Sequence, residues 1–166
     1  MKKTDLTEHK LDSKAVFEGR LLHVRSDTVR LPDGKTATRE YILHPGAVVV
    51  IPVLDNGDLI LERQHRYPLH RDFIELPAGK IDPGEEPLSC ARRELLEESG
   101  YTAREWGYVT TVYPCIGYAE TNGWCITLRA GWPTAAMRRM KTNSWKFFSS
   151  LSRRRWKWCA VARFAK

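Results

Sequence analysis

The sequence predicts an α+β fold of one domain, with a small antiparallel sheet near the N-terminus. Within the first 45 residues, strand-length segments surround a turn formed by proline, aspartate and glycine. Residues 47–53 form an unbroken run rich in valine, which is typical of a strand buried on both faces. A well-bounded helix pattern follows at residues 87–99. A chain of 166 residues is long enough to bury a core of its own.

The N-terminal segment is expected to contain short strands at residues 15–25, 28–31 and 36–43. A tight turn should separate the last two strands, because Pro32, Asp33 and Gly34 are typical turn residues. We therefore interpret residues 1–45 as a β meander.

The next strands lead the chain to a loop before the helix. Residues 47–53 and 59–64 should pair across a tight turn of Asp, Asn, Gly and Asp at residues 55–58. A short strand at residues 73–76 then ends at Pro77, Ala78 and Gly79. This order of strand, glycine loop and helix is expected to bring backbone carbonyls close to the helix.

The helix should separate an apolar face from an acidic one. It starts at Pro87, which suits a first turn, and ends before Gly100, which suits a C-terminal cap. Three apolar residues share an arc that should face the core: Leu88, Ala91 and Leu95. Three carboxylates form a separate arc: Glu94, Glu97 and Glu98.

The acidic arc is either a solvated helix face or a platform for a metal ion. Glu94 and Glu98 lie at i and i+4, where like charges destabilise a helix by roughly 0.2–0.5 kcal/mol. The C-terminal half of a helix also disfavours anions, by roughly 0.3–1 kcal/mol. A divalent cation would reverse both effects, and hard cations such as magnesium take oxygen ligands. The spacing therefore indicates a magnesium platform.

The residues around this helix follow the spacing of a known signature. They are Gly79, Glu85, Arg93, Glu94, Glu97, Glu98, Gly100 and Tyr101. This pattern resembles the Nudix box, the signature of the Nudix hydrolase family, and departs from it only at the last position, where an aliphatic residue is usual. The segments RQHRYP and FIELPAGKID resemble the ADP-ribose pyrophosphatase branch of that family.

The resemblance implies a Nudix fold, in which a mixed β-sheet is sandwiched between α-helices. It also implies hydrolysis of the diphosphate bond of a nucleoside diphosphate sugar, with ADP-ribose giving AMP and ribose 5-phosphate. The implied cofactor is Mg²⁺, with Mn²⁺ as a substitute, held by the Ala78 carbonyl and by Glu94, Glu97 and Glu98. The same three glutamates are the expected catalytic residues. The resemblance implies a general base on a later acidic loop, but this chain has no acidic residue beyond Glu120, so Glu97 is the expected remaining base.

Four residues outside the acidic arc are expected to contact the substrate. Arg63 and Arg66 follow a strand and can each offer two N–H donors to diphosphate oxygens, although strand-end arginines are often ordinary surface charges. On the resemblance, Arg66 contacts phosphate and Glu75 helps to position the substrate. Glu120, in a later loop, is expected to contact the substrate, a metal ion or a water molecule.

Composition changes abruptly at Trp124. Of the 27 Lys and Arg residues, 11 lie in residues 124–166, which contain no acid, so 16 face the 20 acidic residues of the preceding part. We therefore expect a Nudix domain at residues 1–123 and an atypical basic, tryptophan-rich tail at 124–166. The tail is either a segment that binds nucleic acid or a membrane, or the product of a shifted reading frame. In the second interpretation, codons for residues 140–148 and 155–164 regain acidic, family-like sequence when slid by one base, and the chain as it stands should turn over slowly.

Other functions remain open beside ADP-ribose hydrolysis. The chain could act on another nucleoside diphosphate sugar, or serve as a Nudix-like binding module whose basic tail holds nucleic acid. The N-terminal meander either packs on its own domain or, as the resemblance implies, forms the sheet of a homodimer.

The sequence indicates a cytoplasmic location. No apolar run is long enough to span a membrane, and the N-terminus lacks the apolar core of a signal peptide. Because the excess of basic residues is confined to the tail, nucleic acid is not the expected partner. The expected partners are a small-molecule nucleoside diphosphate sugar and a second copy of the chain.

Overall fold

The computed structural model describes residues 5–121, together with the backbone of strands at 124–130, 138–139 and 158–162. It divides into two compact units, Met1–Pro45 with Tyr113–Asn122 and Gly46–Val112 with Gly123–Lys166. In chain order the elements are β1 (His9–Glu18), β2 (His23–Arg30), β3 (Thr36–His44), β4 (Ala47–Pro52), β5 (Leu59–Arg66), β6 (Arg71–Glu75), β7 (Ala78–Lys80), α1 (Pro87–Ser99), β8 (Tyr101–Thr102), β9 (Trp106–Val112), β10 (Ala119–Thr121), β11 (Trp124–Ala130), β12 (Arg138–Arg139) and β13 (Trp158–Ala162).

The first unit is a four-stranded sheet in the order β1-β2-β3-β10. β1, β2 and β3 pair antiparallel, so the predicted N-terminal antiparallel sheet is confirmed. β10 adds to β3 in parallel, a pairing that the sequence did not predict. The turn between β2 and β3 is closed by Leu31, whose N–H donates to the Lys35 carbonyl at 2.8 Å, and Gly34 supplies the positive φ of 85°.

The predicted strand at residues 15–25 is wrong, because the chain turns in the middle of that segment. The N–H of Gly19 donates to the carbonyl of Leu22 at 2.8 Å, which closes the turn between β1 and β2. The side chains of Leu21 and Leu22, next to this turn, are both exposed. The segment predicted at 36–43 lies within β3, and most of the segment predicted at 28–31 lies in β2.

The second unit is built on a mixed sheet in the order β7-β4-β11-β9. β4 pairs antiparallel with β7 and parallel with β11, as expected for a mixed sheet. A second sheet has the order β13-β5-β6 and is antiparallel, and β8 pairs with β12. The predicted strands at 47–53, 59–64 and 73–76 correspond to β4, β5 and β6.

The core of the second unit lies between β4 and α1. Val48 and Val50 of β4 are fully buried against Cys90, Ala91 and Leu95 of the helix. The residues that alternate with these valines along β4 are only half-buried. The prediction that both faces of this strand are fully buried is therefore wrong, because α1 covers the face that carries Val48 and Val50.

Helix α1 has the predicted bounds. It begins at Pro87 and ends at Ser99, and Gly100 caps it with a φ of 73° and an N–H that donates to the Leu96 carbonyl at 2.9 Å. Leu88 was predicted to face the core but is 38% exposed, because the buried side of the helix is centred on residues 90–95 and Leu88 lies at its edge. Across the described part of the chain, no helix has both the length and the apolar character that a membrane crossing requires.

The predicted division at residue 123 stays a prediction. Directly after that position, the backbone of β11 pairs with β4 within the sheet of the second unit. Residues 140–148, on which the frameshift interpretation depends, lie outside the described residues, and so does about half of 155–164.

Candidate functional site

Helix α1 approaches β7 so closely that Gly79 has no room for a side chain. A Cβ atom at Gly79 would lie 1.8 Å from both Cδ and Oε1 of Glu94. Glu94 is consequently buried, with 9% of its surface exposed, although the sequence predicted it on an acidic arc away from the core. Glu94 can be buried here because Gly79 has no side chain. Only a glycine at this position of β7 leaves space for the carboxylate.

The environment of Glu94 disfavours its charge. Burial raises the pKa of the Glu94 carboxyl, and the charges of Glu98 and Glu97 raise it further. The hydrogen bond from Arg93 acts in the opposite direction but does not cancel these effects. Negative charge is thus concentrated on this part of α1, where a cation would be electrostatically favoured.

Arg93 joins the loop before the helix to the carboxylates on it. Its guanidinium donates to both Glu85 oxygens, from Nε at 2.9 Å and from Nη2 at 2.8 Å. Nη1 donates to Oε1 of Glu94 at 2.7 Å and lies 3.6 Å from Oε2 of Glu97. Nη2 also donates to the Lys80 carbonyl at 3.3 Å. Arg93 therefore holds the loop, Glu85 and Glu94 in one arrangement.

The pair of Glu85 and Arg93 is a strong clamp. The hydrogen bonds from Arg93 lower the pKa of Glu85 to about 2, and the bond to Glu85 raises the pKa of Arg93. The Asp82 N–H also donates to Glu85 at 3.1 Å. The sequence singled out both clamp residues by their spacing but assigned neither a role. Their opposite charges were the feature of the sequence that could have indicated this ion pair.

Glu98 and Glu97 differ in their surroundings. Glu98 is half-buried, and its Oε2 accepts a hydrogen bond from the Ala78 N–H at 2.9 Å. The side chain of Glu97 is 60% exposed. The structure therefore brings Ala78, Glu94 and Glu98 together, whereas Glu97 extends toward solvent beside Arg93.

The chemical groups at this site are of the kind that bind a hard divalent cation. Carboxylate oxygens on one helix and the peptide group of Ala78 are the oxygen ligands that such ions prefer. Within residues 5–121, however, no three His, Cys, Asp or Glu side chains converge closely enough to hold a metal ion as they stand. Arg93 lies between Glu94 and Glu97, so a change of side-chain rotamer would accompany binding.

Arg66 and Glu75, predicted separately, form a forked ion pair between β5 and β6. Arg66 Nε donates to Glu75 Oε1 at 2.9 Å, and its Nη2 donates to the other oxygen. The bond to Glu75 raises the pKa of Arg66, and the charges of Glu75, Glu62 and Glu98 contribute in the same direction. Arg66 thus lies within the electrostatic reach of the α1 carboxylates.

Arg63 lies elsewhere. Successive residues of a strand point to opposite faces, and Arg63 and Arg66 are three positions apart on β5, so they face opposite sides. The Arg63 guanidinium donates to Asp72 on β6, at 2.8 Å from Nε and 2.6 Å from Nη2. The structure therefore does not bring Arg63 to Arg66 and Glu75, and its substrate contact stays a prediction.

Glu62 is a carboxylate that sequence reasoning missed. It is 2% exposed and lies directly opposite Glu75 in the β5–β6 pairing. The alternation of side chains along β5 could have indicated its burial, since Ile60 and Glu62 lie on the same, buried face of the strand. Glu62 thus adds negative charge on the side of the sheet that carries Arg66.

Glu120 belongs to the first unit. It lies on β10 beside Leu43 of β3, and its side chain is exposed. The loop that precedes it lies between β9 and β10. Its predicted contact with substrate, metal ion or water stays a prediction.

Two family models together cover most of the chain. Residues 43–163 match the model described as NUDIX domain, and residues 8–42 match the Nucleoside diphosphate sugar hydrolase N-terminal domain. The first match extends beyond residue 123, where we expected the domain to end.

Three curated relatives show clear sequence similarity. An ADP-ribose pyrophosphatase of Bacillus subtilis is 43% identical over 115 residues, which are 69% of this chain and 62% of the relative. A methanol dehydrogenase activator of Bacillus methanolicus is 36% identical, over 68% of this chain and 61% of the relative. An ADP-ribose pyrophosphatase of Mycobacterium tuberculosis is 35% identical, over 68% and 55%. The chain therefore spans less than two thirds of the length of these relatives.

A solved structure shares the fold. The crystal structure of an ADP compounds hydrolase superposes with a TM-score of 0.74 at 21% identity, and the match covers 96% of this chain and 81% of that chain. At this identity the likeness concerns the fold, and it confirms the predicted α+β architecture built on a mixed sheet.

Proposed function

The chain belongs to the Nudix family, and we propose on that premise that it is a pyrophosphatase acting on a nucleoside diphosphate sugar. The proposed substrate is ADP-ribose, which would be split into AMP and ribose 5-phosphate. The match of residues 8–42 to a nucleoside diphosphate sugar hydrolase domain supports this substrate class, as do the names of two of the relatives above.

One observation supports the proposal most directly. The buried carboxylate of Glu94 packs against Gly79, while Glu98 accepts a hydrogen bond from the N–H of the adjacent Ala78. A buried carboxylate whose charge is only partly balanced is unfavourable in a folded protein. The raised pKa of Glu94 indicates that the hydrogen bond from Arg93 does not fully offset its burial. A cation bound beside Glu94 would balance this charge.

We propose Mg²⁺ as the cofactor, with Mn²⁺ as a substitute. Nudix hydrolases generally need a divalent metal ion. The proposed ligands are the carbonyl of Ala78 and the carboxylates of Glu94, Glu97 and Glu98. When bound, the ion would neutralise the diphosphate and lower the pKa of a water molecule that attacks phosphorus.

The side chains of the chain would share the remaining work. Arg66, whose guanidinium plane is fixed by Glu75, would donate from Nη1 to a diphosphate oxygen. Arg63 and Glu120 are further proposed substrate contacts. Glu97 would take the proton of the attacking water, since its exposed carboxylate can reach solvent.

Assay of AMP release from ADP-ribose tests this function. With Mg²⁺, the wild-type chain should release AMP, and removing the metal with EDTA should abolish the release. Glu94→Gln and Glu98→Gln should each reduce it to background, because a neutral amide is a poorer ligand than a carboxylate. Glu105→Gln is the matched control, since this glutamate is exposed and outside the site. Full activity of both site variants would refute the proposed metal ligands.

A substrate panel separates the proposal from its alternatives. ADP-ribose, ADP-glucose and NADH, each assayed with magnesium, would rank the substrates within the class. A binding module would instead hold RNA or DNA with a steep salt dependence and release no AMP. If residues 124–166 replace an acidic loop, metal binding should be retained while turnover is slow.

We also propose a cytoplasmic homodimer formed through the first unit. Supporting residues are the exposed apolar side chains of β1, Leu11, Val16 and Phe17. Exposed apolar groups clustered on one strand are typical of an interface. Light scattering after size exclusion should give twice the mass of one chain, and Val16→Asp should lower it to that of one chain.

A further inference from the structure

Glu62 is a buried carboxylate that no step of the proposed hydrolysis uses. It is 2% exposed and lies on the central strand of the sheet β13-β5-β6, against which α1 packs. Glutamate is rarely buried so completely, because removing its charge from water costs free energy. Its neighbour on the same face, Ile60, is fully buried without this cost. A carboxylate at this position therefore indicates a role other than packing.

Strand register places like charges opposite each other on this face of the sheet. Glu62 lies directly opposite Glu75, and Arg66 lies directly opposite Arg71. Side chains opposite each other in an antiparallel pair have Cβ atoms roughly 4.5–5.5 Å apart, and like charges in such pairs repel. The acidic pair and the basic pair are four residues, or roughly 13 Å, apart along the strands. Each pair is therefore unfavourable by itself.

The ion pair of Arg66 and Glu75 runs diagonally between these two pairs. Nε of Arg66 donates to Oε1 of Glu75 at 2.9 Å, and Nη2 donates to Oε2. Because one residue comes from the basic pair and the other from the acidic pair, both side chains must lean along the strands toward each other. The Arg71 guanidinium lies 4.6 Å from the centroid of the Phe73 ring, which holds it on its own strand. Arg66 is thus the arginine that reaches Glu75.

Glu62 acts on this ion pair through its charge. The hydrogen bond to Glu75 is the largest effect that raises the pKa of Arg66, and the charges of Glu75, Glu62 and Glu98 raise it further. The side chains of Arg66 and Glu75 are 45% and 25% exposed, whereas Glu62 is buried, so water screens the charge of Glu62 less. Repulsion from Glu62 favours a Glu75 carboxylate that leans away from Glu62 and toward Arg66.

We propose that Glu62 is a positioning residue for substrate binding. Its buried charge directs the Glu75 carboxylate toward Arg66 and so orients the Arg66 guanidinium, whose Nη1 then faces the diphosphate group of the substrate. The identity of the substrate rests on the proposed function, whereas the arrangement of Glu62, Glu75 and Arg66 does not.

Kinetics with ADP-ribose test the role of Glu62 in binding. Glu62→Gln removes the charge and keeps the size of the side chain. It should raise the KM roughly threefold to tenfold, about the effect of one hydrogen bond, and leave kcat within about twofold, because Arg66 would bind ground state and transition state alike. Glu62→Asp keeps the charge and should stay within about twofold of the wild-type KM. Glu105→Gln, which removes an exposed carboxylate outside the site, is the matched control and should change neither constant.

A double-mutant cycle shows whether Glu62 acts through Arg66. In an Arg66→Ala background the group to be oriented is absent, so Glu62→Gln should change the KM by less than about twofold. An equal rise of the KM in both backgrounds would overturn the inference, since Glu62 would then act independently of Arg66. An unchanged KM in Glu62→Gln alone would overturn it as well.

Hydrogen exchange at Arg66 tests the positioning without substrate or metal. In a ¹H–¹⁵N spectrum the Nε–H signal of Arg66 is assigned by its loss in Arg66→Ala, and the bond to Glu75 should slow its exchange with water in wild type and in Glu105→Gln. In Glu62→Gln this exchange should be roughly threefold to tenfold faster, as expected for a weakened hydrogen bond.

The exchange measurement also separates this inference from the proposed function. Equal exchange rates in wild type and Glu62→Gln would overturn the role of Glu62, whether or not the chain hydrolyses ADP-ribose. Faster exchange in Glu62→Gln in a chain that releases no AMP would refute the proposed function and support the positioning of Arg66 by Glu62.

Discussion

Replacing Gly79 with alanine tests whether the close approach of β7 and α1 positions Glu94. The new Cβ would lie 1.8 Å from two atoms of the Glu94 carboxyl group, whereas carbon atoms in contact stay about 3.5–4.0 Å apart. The backbone at Gly79 is not left-handed, so alanine itself fits the local conformation. The carboxylate of Glu94 must therefore move by about 2 Å.

The expected loss of stability follows from two effects. Overpacking in a closed region costs about 1–3 kcal/mol, and a lost hydrogen bond between charged groups, here the one from Arg93 to Glu94 at 2.7 Å, costs about 1.5–3 kcal/mol. Because the displaced carboxylate regains water, we expect about 2–3 kcal/mol in total. In a chain of this length, that corresponds to a Tm roughly 4–12 °C lower.

Thermal unfolding by calorimetry measures this effect in a double-mutant cycle. In a Glu94→Ala background the clash partner is absent, so Gly79→Ala should cost less than about 1 kcal/mol. Gly107→Ala is the control in open space and should be close to neutral. An equal loss in both backgrounds would show that Glu94 is not the group displaced. AMP release should also fall roughly a hundredfold in Gly79→Ala, as expected for a misplaced site carboxylate.

Two further perturbations test the clamp and the arginines. Because Arg93 lowers the pKa of Glu85 to about 2 from the ordinary 4.5, the stability that Glu85 contributes is present above pH 4.5 and lost as the pH falls toward 2. Urea unfolding across this range should therefore show a steeper loss for wild type than for Glu85→Gln. Arg66→Ala should raise the KM for ADP-ribose roughly tenfold or more, and Arg63→Ala should raise it less, since Asp72 holds Arg63 on the other face. Equal effects of the two arginine variants would contradict this placement.

Much of the fold could be predicted because it depends on local signals. Pro87 and Gly100 mark the ends of α1 through the conformations that these two residues prefer, so the helix bounds agree with the structure. The turn at Gly34 was recognised for the same reason. The turn after β1 was missed, because Leu21 and Leu22 look like strand residues and only their exposure reveals otherwise.

The candidate site was predicted in its composition but not in its arrangement. The spacing of the glutamates on α1 indicated which carboxylates share a side of the helix. A helical wheel treats Glu94 as a solvent-facing residue, however, and cannot register the space that Gly79 leaves on a strand. The ion pairs of Arg66 and Arg63 likewise depend on strand register, which sequence spacing alone does not specify.

By itself, the sequence determined the box from Gly79 to Tyr101, the limits of α1 and the acidic character of the helix, because spacing and caps act over a few residues. Only the tertiary structure decided that Glu94 is buried on Gly79, that Glu85 and Arg93 clamp the loop, and that Arg66 rather than Arg63 pairs with Glu75. These outcomes depend on which elements meet in space, since burial and charge pairing are properties of the packed chain.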